Sequence, residues 1–310
     1  MRLGVVVRGR EPEPLVVFDR PRYVCDGEDR FHTNDLYGPG ALVDRYGRDS
    51  SRAFGSDRAC HRLQPVPLIE DYALIGDLQT AALVSREGSI DWCCFPRFDS
   101  GACFAALLGD EGNGRWRLGP AGEVRDITRR YRGDTLVLET EFRTGDGTVR
   151  LLDCMPIRGK APDVIRIVEG VDGRVPMSME LIIRFDYGRV VPWVFRREDS
   201  LSAIAGPDAL CLRTPVETRG EGLTTVAEFE VVAGDRVPFV LTWHPSHEPP
   251  PEPLDALGDL DETAAWWEDW SSGADPSGLP EPDAVARSLI TLKALTYAPT
   301  GGIVAAPTTS

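Results

Sequence analysis

"DVIRIVEGVDGRVPMSMELIIRFDYG", residues 163–188, decides the fold class. Met177, Met179, Leu181, Ile183 and Phe185 alternate with Ser178, Glu180, Ile182 and Arg184. Successive strand residues point to opposite faces, so this alternation predicts a strand buried on one side. Val164 to Val168 form a second apolar run, which the pattern sets against the first.

Working outward, the same design recurs. In "TAALVSREGSIDWCCF", residues 80–95, two apolar runs flank Ser85-Arg86-Glu87-Gly88, a loop suited to a hairpin. In "TLVLETEFRTGDGTVRLLDCMP", residues 135–156, Leu136, Leu138 and Phe142 share a face and Asp146-Gly147 supplies the turn. "LTTVAEFEVVAGDRVPFVLTWHP", residues 223–245, gives a further pair, with Val237, Phe239, Leu241 and Trp243 pointing one way. Antiparallel hairpins at this spacing predict a mainly β protein built as a sandwich, not a parallel sheet.

The pattern then changes. "HEPPPEPLDALGD", residues 247–259, is a proline-rich linker that denies ladder hydrogen bonds. "DLDETAAWWEDWSSG", residues 259–273, predicts a short helix capped by Asp259 or Asp261, with Trp266, Trp267 and Trp270 massed on one side. A second helix is expected from Pro282, burying a stripe of Val285, Leu289, Leu292 and Leu295 or Thr296 and stopping at Gly301-Gly302. Residues 1–66 show no sustained period and are expected to be a poorly ordered extension. The expected order is an extension (1–66), a β-sandwich (67–250), a linker with a helix (251–280), and a last helix with its loop (281–310).

The 310 residues carry a formal net charge of -15, which argues against nucleic acid and anionic membrane surfaces as partners. No run approaches the roughly 18 apolar residues of a membrane span. Seven cysteines without repeated spacing, and no secretory leader, predict reduced thiols in the cytoplasm.

Most motif-like features have ordinary readings. "HPSHE", residues 244–248, lacks helical metal-ligand spacing and reads as a loop after a strand. Cys93 and Cys94 are neighbours on a strand and so point apart; with Cys103 they read as buried thiols. "GDEGNGRWRLG", residues 109–119, is glycine-rich but has no Lys-Ser/Thr to grip a phosphate. No metal or cofactor is expected. The most distinctive context is "GSIDWCCFPRFDSGACFAALLG", residues 88–109, which gathers Asp91, Trp92, Arg97, Phe98 and Asp99. An aromatic ring beside Arg and Asp suits sugar hydroxyls, although on bare sequence an Arg97–Asp99 pair that only braces a loop is the favoured reading.

"IEDYALIGD" (69–77), "TAALV" (80–84), "GSIDW" (88–92) and "PRFDS" (96–100) together resemble the N-terminal domain of bacterial glycoside hydrolase family 15, the glucoamylase-like and trehalase enzymes. "AWWEDW" (265–270) and "SLITLKALTYAPTGGIVAAPTTS" (288–310) resemble the interdomain helix and first barrel helix of that family. The resemblance covers about residues 67–310. It implies a super-β-sandwich followed by a linker helix and the first helix of an incomplete (α/α)6 barrel. It also implies hydrolysis of α-glucosidic bonds with inversion, by two carboxyl groups about 6.5–9.5 Å apart. Both family carboxylates fall in the barrel, beyond the segment matching "GIVAAPTTS", so no catalytic residue is carried over and the chain is expected to be truncated and inactive alone. Trp92, Arg97 and Asp99 are expected near the substrate, and Pro307, Thr308 and Thr309 at the barrel mouth. The implied partners are trehalose or another α-glucoside and a barrel that could be separately encoded. Two other readings stand beside this one: a free-standing carbohydrate-binding module using Trp92 or Trp193, and one half of a split enzyme.

Overall fold

The computed structural model describes residues 68–197 and 199–308. The predicted extension over 1–66 and Thr309 lie outside them. Chain order begins with β1 (Ala73–Gly76), β2 (Ala81–Val84), β3 (Ser89–Cys94), β4 (Ala102–Phe104) and β5 (Arg115–Pro120). Next come β6 (Val124–Tyr131), β7 (Leu138–Thr144), β8 (Gly147–Cys154) and β9 (Asp163–Ile182). The strands β10 (Trp193–Arg196), β11 (Leu201–Ala205), β12 (Asp208–Arg213), β13 (Arg219–Glu221), β14 (Thr224–Val232) and β15 (Arg236–Pro245) complete the β region. Two helices follow, α1 (Ala256–Ser271) and α2 (Pro282–Ala294), then a two-rung ladder of β16 (Thr296–Tyr297) and β17 (Gly302–Ile303).

All the pairings are antiparallel, and β9 joins the two layers of the sandwich. Its first half pairs with β8 and β15, and its second half with β5 and β14. This corrects the expected arrangement of 163–188, whose two apolar runs are the halves of one strand and not facing arms. Likewise β14 and β15 do not pair with each other; each takes a different half of β9. The physical reason lies at the glycines. A Cβ on Gly170 would sit 2.0 Å from the Val232 carbonyl, and one on Gly173 (φ +69°) 2.2 Å from the Asp146 carbonyl. Neighbouring backbone crowds both sides of this bend, so the segment continues as sheet where a hairpin turn would need free space.

The alternation itself is realised as expected. Met177, Met179, Leu181, Ile183 and Phe185 enter the main core with Phe239 and Leu241 of β15 and Leu138 and Phe142 of β7. In the middle of this core lies an ion pair. Arg166 and Asp153 are both 0% exposed, joined by Nε to Oδ1 at 2.8 Å. The same guanidinium donates to the carbonyls of Trp116 (2.6 Å) and Gly88 (2.8 Å). It therefore ties β8 and β9 of one layer to β5 and the turn before β3 in the other.

Helix α1 seats Ala256, Leu260 and Ala264 against the outer face of β8, β9 and β15, over Leu152, Ile165, Ile167 and Val240. That contact starts the helix at Ala256, with Asp255 at the N-cap, ahead of both expected caps, Asp259 and Asp261. Helix α2 starts at Pro282 as expected, but its seated residues are Ile290 and Ala294, which meet Leu78, Leu136 and Trp267. The stripe read from the sequence contains the outward-facing residues, with Leu292 50% exposed and Leu289 also open. The helix thus has two apolar faces, and alternation cannot say which one the β-domain takes. It also ends at Ala294, ahead of the Gly301-Gly302 stop, because the chain turns back into β16 and β17.

One buried acid lies under α1. Asp163 accepts from the Thr242 hydroxyl, and burial pushes its carboxyl up to about 6, against the hydrogen bond from Thr242. Asp259 of α1 and Asp77 push the same way, and Arg158 opposes them. A raised folded-state pKa means the fold holds a proton that the unfolded chain releases near pH 4. Stability from this group therefore falls as pH rises from about 4 to 6 and is lost above. Asp163→Asn is expected to raise stability at pH 8 by about 2 kcal/mol and to flatten that part of the profile, read by denaturant unfolding at several pH values.

Candidate functional site at the β-domain and C-terminal junction

Strand β3 divides its side chains between two clusters. Cys93 enters the main core, whereas Trp92 and Cys94 enter a smaller cluster with Ala102 and Ala105. Burial pushes the Cys94 thiol up to about 12, so it is no nucleophile. The five described cysteines are buried free thiols. After Cys94 the chain passes through a cis Phe95–Pro96 bond into the loop that carries Arg97 and Asp99.

That loop is braced from inside. Asp77 is fully buried and accepts from the backbone of Gln79 (2.9 Å) and Thr80 (2.8 Å) through Oδ1. Its Oδ2 takes Arg158 Nε at 2.6 Å, and the same guanidinium reaches the Pro96 carbonyl at 2.7 Å. Phe98 N bonds the Gln79 carbonyl at 2.9 Å. Asp77 and Arg158 were not nominated from the sequence. An Asp before a turn is common, and its partner lies 81 positions away, so nothing local signals the pair.

At the tip, Arg97 and Asp99 form a two-pronged fork, Nε to Oδ1 at 2.8 Å and Nη2 to Oδ2 at 3.0 Å, with side chains 52% and 69% exposed. Asp99 holds the Arg97 pKa above its ordinary value, and Tyr297 adds a smaller pull. Tyr297 belongs to the segment that follows α2. The backbone of that segment is fastened to the β-domain twice: Ala298 N donates to the Leu78 carbonyl at 2.8 Å, and Trp92 Nε1 donates to the Pro307 carbonyl at 2.8 Å. Leu78 presents its carbonyl from a left-handed conformation, φ +69°.

The structure therefore links Trp92 directly to Pro307 and brings Arg97 within electrostatic reach of Tyr297. Thr308 follows Pro307 and is half-buried. Trp92 is 2% exposed, packed near Tyr187 at 6.0 Å between centroids, so its ring has no open face for stacking. The nearby acids are committed too. Asp77 is held by Arg158, and Asp91 accepts from Tyr72 (2.8 Å) and Ser89 (2.5 Å) hydroxyls. What this edge offers chemically is an exposed Arg–Asp fork able to hydrogen-bond hydroxyl groups, plus a fixed path for the chain after α2.

The remaining candidates resolve simply. His244 is buried, its Nδ1 2.9 Å from the Pro245 carbonyl, and His247 lies 3.7 Å from Glu248. Among the described residues no group of three or more His, Cys, Asp or Glu could hold a metal ion. No helix among them is long and apolar enough to cross a membrane.

A double-layered antiparallel β-domain thus seats two helices on its flank and fastens the loop after the second. The family model for the trehalase-like N-terminal domain matches residues 62–246, more than half of the chain, and the chain belongs to that family. It is 34% identical to the trehalases of Mycolicibacterium smegmatis and Mycobacterium tuberculosis, over 79% of this chain and 41% and 40% of theirs. The trehalase of Thermoplasma volcanium is 28% identical, again over 79% of this chain and 40% of the relative. The chain thus spans about two fifths of the length of these relatives. Among solved structures, a bacterial glucoamylase complexed with acarbose aligns with a TM-score of 0.48 at 10% identity, covering 73% of this chain and 40% of that one.

Proposed function

We propose that this chain forms the N-terminal β-domain and the first barrel helix of an α-glucoside hydrolase of trehalase type. The proposed reaction is inverting hydrolysis of trehalose or an α-linked glucose oligosaccharide, in the cytoplasm. No catalytic residue is assigned within the chain. Its part is to hold the start of the helical domain and to present one polar loop to the sugar. The observation that carries this reading is the Trp92–Pro307 hydrogen bond, which spans 215 positions and fixes the loop after α2 from the β-domain side. The open apolar face of α2, with Leu289 and Leu292, supports further helices packing there, on this polypeptide or on a separately encoded one.

The substrate-facing role falls to Arg97 and Asp99. In the full-length M. smegmatis trehalase, Gln and Asn at the positions aligned with Arg97 and Asp99 are expected to raise KM for trehalose about tenfold, the worth of a charge-assisted hydrogen bond. An unchanged KM would leave the fork a loop brace. The carbohydrate-binding module has one observation in its favour, the 76% exposed ring of Trp193 on β10. Calorimetry of the 310-residue chain with trehalose and maltose separates the two readings. Hydrolase membership expects no heat from the isolated chain, and measurable heat abolished by Trp193→Ala would favour the module.

A further inference from the structure

A cavity lies away from the Trp92 junction, at the end of the sandwich between the β10–β11 hairpin and β13–β14. Its volume is about 400 Å³, within the range of small-molecule sites. One wall is apolar, formed by Leu181, Ile183, Val194, Phe195 and Leu201. Three arginines also line it, Arg184, Arg196 and Arg219, and no acidic residue among the described ones does.

The three arginines are not equivalent. Arg219 is neutralised by Glu221 at 2.8 Å and Glu228 at 3.2 Å. Arg184 and Arg196 have no carboxylate partner among the described residues. Arg184 is only 9% exposed, yet it bonds through Nη1 alone, to the carbonyls of Ile183 (2.7 Å) and Leu223 (3.2 Å). Its Nε and Nη2 hydrogen-bond nothing among the described residues. Arg196 uses Nη2 for the Thr218 carbonyl and hydroxyl, and its Nε and Nη1 hydrogen-bond nothing among the described residues. A guanidinium taken nine-tenths out of water normally finds an anion or a full set of acceptors. Among the described residues Arg184 has neither, in a chain whose formal net charge is -15. Burial accordingly lowers the Arg184 pKa.

We infer that this cavity binds a small amphipathic anion, with a carboxylate or phosphate-monoester head between Arg184 and Arg196 and an alkyl or aromatic body along the Ile183–Phe195 wall. Charge complementarity selects the head, because planar guanidinium groups pair best with two-oxygen anions. The apolar wall selects the body and disfavours a bare inorganic ion, which would leave that wall wet. The site does not rest on the hydrolase reading, since it shares no residue with the Trp92–Pro307 junction.

Titration calorimetry of the 310-residue chain with octanoate and with octyl phosphate tests the inference. At least one is expected to bind about tenfold more tightly than octyl glucoside, which has the body without the charge. The same margin is expected over acetate and inorganic phosphate, which have the charge without the body. Preference for octanoate assigns the carboxylate class, and preference for octyl phosphate the phosphomonoester class. Arg196→Gln and Phe195→Ala should each weaken binding about fivefold or more. Arg184→Gln should weaken it further; if that variant does not fold, the other two decide. Octyl glucoside binding as tightly as the anions overturns the inference. So does unchanged affinity in Arg196→Gln and Phe195→Ala, which would place the ligand on another apolar surface such as the open face of α2.

Discussion

Arg166→Met is expected to destabilise the protein by about 3–5 kcal/mol. The side chain is replaced by one of similar length, so the cost is electrostatic and not a cavity. Removal of the guanidinium leaves the Asp153 carboxylate at 0% exposure without its partner, and takes a donor from the carbonyls of Trp116 and Gly88. An uncompensated buried charge is far more costly than a lost contact, because the desolvation penalty remains after the attraction is gone. The Trp116 ring, 5.1 Å from the guanidinium, loses a cation–π contact as well. The measurement is urea unfolding of wild type and variant. The companion Arg166→Met/Asp153→Leu is expected to recover more than half of the loss, because no charge remains buried. A single-variant loss below about 1 kcal/mol would show that water reaches Asp153 and that the pair is not dry.

This pair also shows where the sequence stops being informative. Alternation along 177–185 identified the inward face of β9 correctly, because burial on one side of a strand repeats every second residue. The same rule is silent on Arg166, which occupies an inward position only because Asp153 sits 13 positions away to neutralise it. The sequence also marks 164–168 and 177–185 as extended runs, but does not show that they join in one strand crossing between layers. That depends on backbone crowding at Gly170 and Gly173 by residues 146 and 232.

Helix α2 illustrates a different limit. This helix is apolar on two faces, and the stripe read from the sequence holds the residues the β-domain leaves open, Leu289 and Leu292. Tertiary context alone assigns the seated face, because both faces satisfy the helical period. The candidate site was legible in part for a chemical reason. Residues able to work at a surface, such as the Arg97–Asp99 fork, are local in sequence, two positions apart. The residues that hold them, Asp77 and Arg158, interact over long range and carry no spacing signature.

Trp92→Phe is expected to produce the largest functional effect, once the chain is part of a complete hydrolase. Phenylalanine keeps an aromatic ring in the cluster of Cys94, Ala102 and Ala105, and removes the Nε1–H that holds the Pro307 carbonyl. The direct loss is about one hydrogen bond, roughly 0.5–1.5 kcal/mol. The functional loss is expected to be larger. If residues 304–308 border the sugar site, freeing them misplaces groups that catalysis needs held within a fraction of an ångström, and such errors cost up to about 100-fold in rate. The test uses the full-length M. smegmatis trehalase with Phe at the aligned position. The expected result is a drop of ten- to a hundredfold in kcat/KM for trehalose. Its unfolding midpoint should move by only a few degrees. Trp92→Ala separates packing from tethering: it should destabilise by about 3–5 kcal/mol, because a whole buried ring is deleted. In the isolated chain, hydrogen exchange of the Val304 amide, bonded to the Leu295 carbonyl at 2.9 Å, should quicken in Trp92→Phe while amides of β9 stay protected. A Trp92→Phe enzyme with wild-type kcat/KM would show that the loop is held by its own hairpin, β16 and β17, and that the β-domain contributes only a seat for α2.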